Sequence, residues 1–566
     1  MPSAASNRKI ANSRPTDAEY TRIHKMICDL KDDRSHLECQ IVQLLSQQQA
    51  IDEQIESYRA HAPPILRLPT ELLQIIFLWC LPSRNSDRKI TEAPLLLAHV
   101  CSTWRTLSLA TPELWASLHI HAAFLQRPRR AELSSYKKAL GIWLWRSGTR
   151  PLSISLIEEQ SNFLVMVPYM LHDLREFSPR WKHLSLQLSE DGFLHLPDLT
   201  AAQVPLLESI VIHASGSRPI IRGVAKPFLT TPSLRTVSLH NIDPTEIYHL
   251  PLTWGSLTSL SITSQLSKPL GMSTAQALRL IRMCPALTTC FLDLFISGLP
   301  PPPLLWGDNT SRETVELPKL ETFGLRLNLS EYSFFGVRDT AQTQINSFFG
   351  ALDLPRLRDL RIAASANTQP PCFLSLVDLL GRVPKALNNL LINLESGMEM
   401  KDIVDDLRCL GTLKSLSIHV PYFPNDDDQD SDDDSDEVEH YWNRPIVPRN
   451  AGTTPSNAFL ALLDTSPPTA QNSAPILLCP LLEHISINFP KSSPVSDRSI
   501  QIFLHARRNL RRAFFRFDRE VDEDIIIPDG VEVDLSYKEI GKNGNYERFV
   551  ETYKKRPEFS ARGRGL

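Results

Sequence analysis

Nine cysteines and sixteen histidines are the first residues to weigh for chemistry in this chain of 566 residues. Cys28, Cys39, Cys80, Cys101, Cys284, Cys290, Cys372, Cys409 and Cys479 form no Cys-x-x-Cys pair and are odd in number. That argues against a zinc site and against a disulfide frame, and they read as reduced thiols, most of them in a core. His119 and His121 alternate on an expected strand at a spacing a metal could use. No cysteine or paired carboxylate stands close by in sequence to complete a ligand set. The phosphate-binding loops G-x-G-x-x-G and Walker A are absent, as are G-x-S-x-G and H-E-x-x-H. No catalysis, metal or cofactor is expected of this chain.

Charge is distributed unevenly. The formal net charge is −4, yet ten carboxylates lie within Asn425–Glu439 alone. That run is too charged to fold and reads as a solvated insertion. Its functional alternatives are contact with a basic partner and phosphorylation at Ser431, which three aspartates follow. Arg507, Arg508, Arg511, Arg512, Arg516 and Arg519 surround a Phe514-Phe515-x-Phe517 strand. They read as the solvated face of a last structural repeat. A nucleic-acid scaffold is the other reading, and it would require strongly salt-dependent binding lost with Arg507 and Arg508. Nucleic acid is not the expected partner. The longest apolar stretch, Leu72–Leu81, is interrupted by Gln74 and is too short to cross a bilayer. The first fifteen residues lack the apolar core of a secretory signal. A soluble protein of the cytoplasm and/or nucleus is expected, with no membrane partner.

From Asp17 to Tyr58 there is neither Gly nor Pro. Ile23, Leu30, Leu37, Leu44, Ile51 and Tyr58 fall seven apart, and so do Ile27, Arg34, Ile41, Gln48 and Ile55. Setting the first series at d and the second at a gives a heptad pattern with Ile at most a positions and mainly Leu at d. That favours a parallel two-stranded coil and hence a homodimer through residues 17–58. The alternative is one long amphipathic helix folding back on its own chain.

After His61-Ala-Pro-Pro, which ends that helix, Thr70 can cap a second helix whose apolar residues Leu72, Leu73, Ile75, Ile76, Phe77 and Trp79 surround it. A helix apolar on every side must be covered by something. A polar loop, 83–92, precedes a second helical unit with Val100 and Trp104 at i, i+4. Three clusters stand out: Leu68-Pro69-x-Glu71-Leu72-x-x-Ile75-Ile76-Phe77, then Leu81-Pro82, then Val100-Cys101-x-x-Trp104-Arg105. In this order they resemble an F-box. The following Thr111-Pro-x-Leu-Trp115 looks like the extension found in many fungal F-box proteins. The likeness covers about 55 residues, and the 83–92 loop is longer than the usual link. The resemblance implies a three-helix module that docks onto a Skp-type adaptor and, through it, a cullin. It places Leu68, Pro69, Leu72, Ile75 and Ile76 on the adaptor face. Leu81, Pro82, Val100 and Trp104 would complete the packing or the far side of the contact.

Beyond Arg150 one phrase recurs, Pro-x-Leu-x-x-Leu-x-Ile/Leu. It begins at Pro179, Pro205, Pro232, Gly255, Pro285, Pro318 and Pro355, with looser copies from Leu387, Leu413, Leu482 and Leu510. Steps of 23–37 residues, with one of 69 across the acidic run, match the period of leucine-rich repeats. Leucine alone supplies 83 residues. The spacers look helical: Ser273-Thr-Ala-Gln276 is a capping box stopped by Cys284-Pro285, and Phe373–Leu380 and Ser499–Ala506 look alike. Each unit must bury its face on its neighbours. The phrase resembles the degenerate repeats of F-box/leucine-rich-repeat proteins, although Asn at the ninth position occurs only at Asn328.

The expected class is α/β: a long N-terminal helix, a small all-α F-box-like module and an irregular leucine-rich-repeat solenoid. The expected divisions are a disordered start (1–16), the helix or coiled coil (17–60), the F-box-like module (63–118) and the main repeats (119–420). A disordered acidic and Ser/Pro-rich insertion (421–474) with one helix at Asn457–Leu463, C-terminal repeats (475–540) and a tail (541–566) follow. The resemblance implies the substrate-recognition subunit of a Skp–cullin–F-box type ubiquitin ligase, with an unidentified protein target on the repeats. The alternative is a non-enzymatic repeat scaffold, dimerised through its coil and without a ligase role.

Overall fold

The computed structural model describes residues 16–61, 65, 68–82, 85, 89–121, 130–158, 166–215, 223–264, 271–296, 314–329, 338–366, 372–374, 376–382, 387–394, 398–400, 403–408, 410–419, 454–463, 478–489, 493–517, 525–528, 530–540 and 547–555. They fall into two compact units, residues 1–76 and 77–566. The division falls inside the first helix of the expected module 63–118. Phe77 explains the division, being the first residue of the continuous apolar core that runs to Tyr537.

In the first unit, α1 (Asp17–His61) is 45 residues long. It starts on a capping box: the Thr16 N–H donates to Glu19 Oε2 at 3.0 Å, and Thr16 Oγ1 accepts from the Glu19 N–H at 3.4 Å. Asp17 and Glu19 in the first turn complement the helix dipole. It ends where Pro63 and Pro64 follow. The next helix, α2 (Thr70–Trp79), starts at Pro69, whose carbonyl accepts from Leu72 N and Leu73 N at 3.1 Å each.

The second unit continues with α3 (Leu95–Val100) and α4 (Ser102–Leu109). Cys101 between them is extended, and its sulfur accepts from Trp104 N, so a thiol stands in the cap position. Strands follow in chain order: β1 (Ser117–His121), β2 (Leu152–Ile157), β3 (Trp181–Leu188), β4 (Ser209–Ala214), β5 (Thr236–His240), β6 (Ser259–Thr263), β7 (Thr289–Ile296), β8 (Val315–Glu316), β9 (Thr322–Leu329) and β10 (Leu352–Asp353). Then come β11 (Asp359–Ala366), β12 (Cys372–Leu374), β13 (Asn389–Leu394), β14 (Met398–Met400), β15 (Ser415–His419), β16 (His484–Phe489), β17 (Arg512–Phe517), β18 (Glu532–Ile540) and β19 (Glu547–Lys555).

Fifteen of these form one sheet in chain order, while β8 pairs with β10 and β12 with β14. Fourteen of the fifteen run parallel, and β19 lies antiparallel on β18. Each parallel neighbour needs a crossover, which is why one strand appears per repeat and not per hairpin. Every recurrent phrase named above ends in one of these strands. Their register aligns the two apolar positions of Leu-x-Ile into continuous rows. One row runs from Leu118 through Ile154 and Leu184 to Val533, the other from Ile120 through Leu156 and Leu186 to Leu535. Both rows are buried throughout, and at about 1.5–3 kcal/mol per buried aliphatic side chain they are the main source of cohesion.

Connecting helices cover that face. Thr274–Arg282 carries the expected capping box and buries Ala277, Leu280 and Ile281. Asp497–Ala506, capped by Ser496, buries Ile500, Phe503 and Leu504. At this end the rungs become aromatic, with Phe489 stacked on Phe517 at 4.9 Å and Phe517 on Tyr537 at 4.8 Å. The Tyr537 hydroxyl donates to Asp497 Oδ1 at 2.8 Å.

Three expectations need correction, and a fourth is met. The sheet starts at Ser117, inside the segment assigned to the helical module. Phe373 lies on β12, and the helix there covers only Val377–Leu380, because Phe373 and Leu374 pair with Glu399 and Met400. Within the stretch 421–474, the helix expected at Asn457–Leu463 is present and starts three residues earlier. Thr454–Leu463 is a helix that buries Ala458, Phe459 and Leu462, with Phe459 meeting Phe489, Phe503 and Phe515. The run at 425–439 lies outside the described residues. Finally, the tail assigned to 541–566 contains β19, whose Phe549, Val550 and Tyr553 are residue types that favour strands.

Candidate functional site

The residues assigned to adaptor contact sort into exposed and packed groups. On α2, Leu73 and Phe77 are four apart and buried, at 3% and 0% exposure. Leu72 (47%), Ile75 (51%), Ile76, Leu78 and Trp79 (85%) remain open to solvent. The helix that reads as apolar all round thus uses one stripe for burial and leaves the rest uncovered. At its start Pro69 is exposed and Leu68 half-buried.

In the second unit, Val100 is 55% exposed at the end of α3, and Leu96 on the same helix is also open. Trp104 and Leu81 pack against the core, and Pro82 is half-buried. The Trp104 ring meets Phe77 at 4.8 Å, tilted by 57°. Arg105 Nε donates to the Ala98 carbonyl at 2.8 Å and locks α4 onto α3. Trp115, fully buried, donates through Nε1 to the Ser108 carbonyl at 2.9 Å and meets Trp143 edge-on at 4.8 Å. Trp104 and Leu81 thus pack into the core, while Val100 is exposed.

The polar loop 83–92 does more than its sequence implied. Asn85 Oδ1 accepts from Ser117 Oγ at 3.0 Å and from Ser153 Oγ at 2.7 Å, which pins Asn85 to β1 and β2. A lone Asn in a polar loop gives no sequence signal of that role. His119 and His121 lie beside this contact with their Nε2 atoms 2.8 Å apart, a hydrogen bond within the pair. Among the described residues, no group of three or more His, Cys, Asp or Glu could hold a metal ion. Cysteine placement also departs from the expectation of core thiols. Cys284, Cys290 and Cys479 are buried, but Cys28, Cys39 and Cys80 are exposed. Burial pushes the Cys284 thiol up to about 12 and the Cys479 thiol up to about 11, so both are protonated and inert.

The face of the sheet opposite the apolar rows is the other candidate surface. It is closed in the middle: Ser238, His240, Ser261, Thr263, Asp293 and Arg326 are all buried. Asp293 and Arg326 form a cross-strand ion pair at 3.9 Å, and Asp293 also accepts from Ser264 N at 2.8 Å. His240 lies between Ser238 Oγ and Thr263 Oγ1 and meets His213 edge-on at 5.7 Å. Desolvation first and the neighbouring His213 second push its pKa down to about 3. Half-buried positions remain towards the two ends, Ser185 and Val211 on one side and Ser417, Ser486 and Phe514 on the other.

The arginine cluster also divides. Arg507 is buried and donates to the carbonyls of Leu478 (2.7 Å), Cys479 (2.8 Å) and Leu462 (2.8 Å), so it ties three segments together instead of facing solvent. Arg512 pairs with Glu532 at 3.0 Å. Arg519 lies outside the described residues. No helix among the described residues is long and apolar enough to cross a membrane.

Together these features define an α/β chain with a long N-terminal helix and a repeat-built sheet of fourteen parallel strands. No family model matches the chain, and no curated protein matches it. Among solved structures it is similar to the crystal structure of the Rad7 and Elc1 complex in yeast. That match has 14% sequence identity and a TM-score of 0.32, and it covers 86% of this chain and 96% of that one.

Proposed function

We propose that this chain is the substrate-recognition subunit of a Skp–cullin–F-box type ubiquitin ligase, acting in the cytoplasm and/or nucleus. Its F-box-like segment binds a Skp-type adaptor and its leucine-rich-repeat-like body holds a target protein. The chain does no chemistry itself. Ubiquitin transfer gains from raised effective concentration and orientation of the target.

The observation that carries this reading is the exposure of Leu72, Ile75 and Ile76 at the positions where the F-box resemblance places the adaptor contact. A helix serving only to cap the repeats would bury them, since contiguous exposed apolar surface on a soluble protein marks an interaction site. Co-expression with a Skp-type adaptor tests it: a stoichiometric complex is expected, and its absence with intact, folded chain would leave a scaffold.

One observation favours an addition from the scaffold reading. On α1 the a and d residues are exposed along the whole helix, Ile23, Leu30, Leu37 and Leu44 among them. A second copy supplying the matching seam gives a dimeric receptor. Arg34 at an a position, paired with Glu38 on its own helix at 3.4 Å, would fix the register at some cost in stability.

A further inference from the structure

Residues two apart on a strand point to the same face. In β1, Leu118 and Ile120 take the buried face, so His119 and His121 share the opposite one. β1 is the outermost strand at its end of the sheet, with Ser155 opposite His119 and Ile157 opposite His121 on β2. The two rings turn towards each other. Their Nε2 atoms stand 2.8 Å apart, their centroids 4.3 Å apart, and their planes cross at 81°. This is not the shape of a straight hydrogen bond. An in-line N–H···N bond of that length would hold the centroids about 5.1 Å apart. The two Nε2 axes therefore meet at an angle, as they do when two imidazoles share one ion. At right angles on a metal about 2.0–2.1 Å from each nitrogen, two rings have Nε2 atoms about 2.9 Å and centroids about 4.5 Å apart. Tetrahedral ligation would spread them to about 3.3 Å and about 5.2 Å. The pair matches the right-angled case.

We propose that His119 and His121 form a two-histidine clip for one divalent metal ion that favours right-angled nitrogen ligands, nickel(II) or copper(II), with water in its remaining positions. Imidazole suits both ions, and tetragonal geometry separates them from zinc, whose sites are tetrahedral. Each ring coordinates through Nε2 as a neutral imidazole that keeps its proton on Nδ1. The one proton held between the two Nε2 atoms passes through water to Nδ1 of its own ring, so no net proton is released and nothing is oxidised or reduced. Among the described residues no third His, Cys, Asp or Glu completes the set. A metal held by two protein ligands exchanges with solvent, unlike the closed sites that hold structural zinc. The clip does not depend on the ligase reading.

The test titrates nickel(II) into the full-length chain at neutral pH by calorimetry. His119→Gln, His121→Gln and Cys28→Ser/Cys39→Ser/Cys80→Ser, which removes exposed thiols, are titrated beside it. One tight nickel per chain is expected. It should weaken at least about tenfold in either histidine variant, since even a supporting partner's loss costs a metal site that much. The serine variant should keep it. In that variant copper(II) should bind more tightly than nickel(II), and zinc(II) less tightly than copper(II). X-ray absorption of the nickel-loaded natural chain should show two imidazoles on the metal, a readout that needs no variant to fold. Equal affinity in the natural chain and both histidine variants would overturn the proposal. So would loss of the site with the thiols, or a nickel spectrum with fewer than two imidazoles.

Discussion

Phe77 and Leu72 lie five residues apart on α2 with opposite fates. Phe77 has no exposed surface and its ring rests against Trp104. Phe77→Ala should cost about 3–5 kcal/mol, the usual cost of deleting a buried aromatic ring, read as a lowered urea midpoint. His240 makes a different prediction. Its folded pKa, about 3, lies below the ordinary value near 6.5, so its neutral form stabilises the fold fully above pH 6.5. That contribution is lost as pH falls from 6.5 towards 3, by about 2 kcal/mol at pH 5. His183 and His419 are depressed in the same direction by burial. Urea titrations at pH 7.5 and 5.0 should therefore show an acid loss that shrinks in His240→Gln. An equal loss in both would mean His240 titrates normally. Residue types mark α2 as a helix whose apolar side chains need a covering partner, and its Leu72 and Ile75 are exposed. Residue types did not reveal Arg507: six arginines look alike in sequence, and only the three carbonyls around this one decide that it is buried.

At the scale of elements, the recurrent phrase was the most legible feature, because its two apolar positions must coincide with neighbouring strands to be buried. The capping box at Ser273–Gln276 was equally plain, being a local device. Features set by distant pairing were not readable. Phe373 joined a strand because Glu399 and its neighbours came alongside, and β19 was hidden by its basic flanks. The helix Thr454–Leu463 was legible over Asn457–Leu463, and Phe459 anchors it against Phe489, Phe503 and Phe515 at the C-terminal end. For α1, heptad spacing and exposure agree, so light scattering should give twice the 64.0 kDa chain mass. Leu37→Asp/Leu44→Asp should return it to 64.0 kDa, since a charge at d is incompatible with the seam. A wild-type chain that runs at 64.0 kDa at all concentrations would refute the coil.

At the scale of the molecule, the sequence's division into seven segments resolves into two compact units and one continuous sheet. Nothing local in the sequence marks Phe77 as the point where the larger core begins. The functional account joins an exposed apolar helix, proposed to hold an adaptor, to a repeat-built surface, proposed to hold a target. Its most direct test is co-purification with a Skp-type adaptor, comparing the natural chain with Leu72→Asp/Ile75→Asp. Both positions are already open to water, so the variant should keep its circular dichroism and melting temperature and lose the adaptor. A variant that unfolds, or one that still binds the adaptor as the natural chain does, would contradict the account.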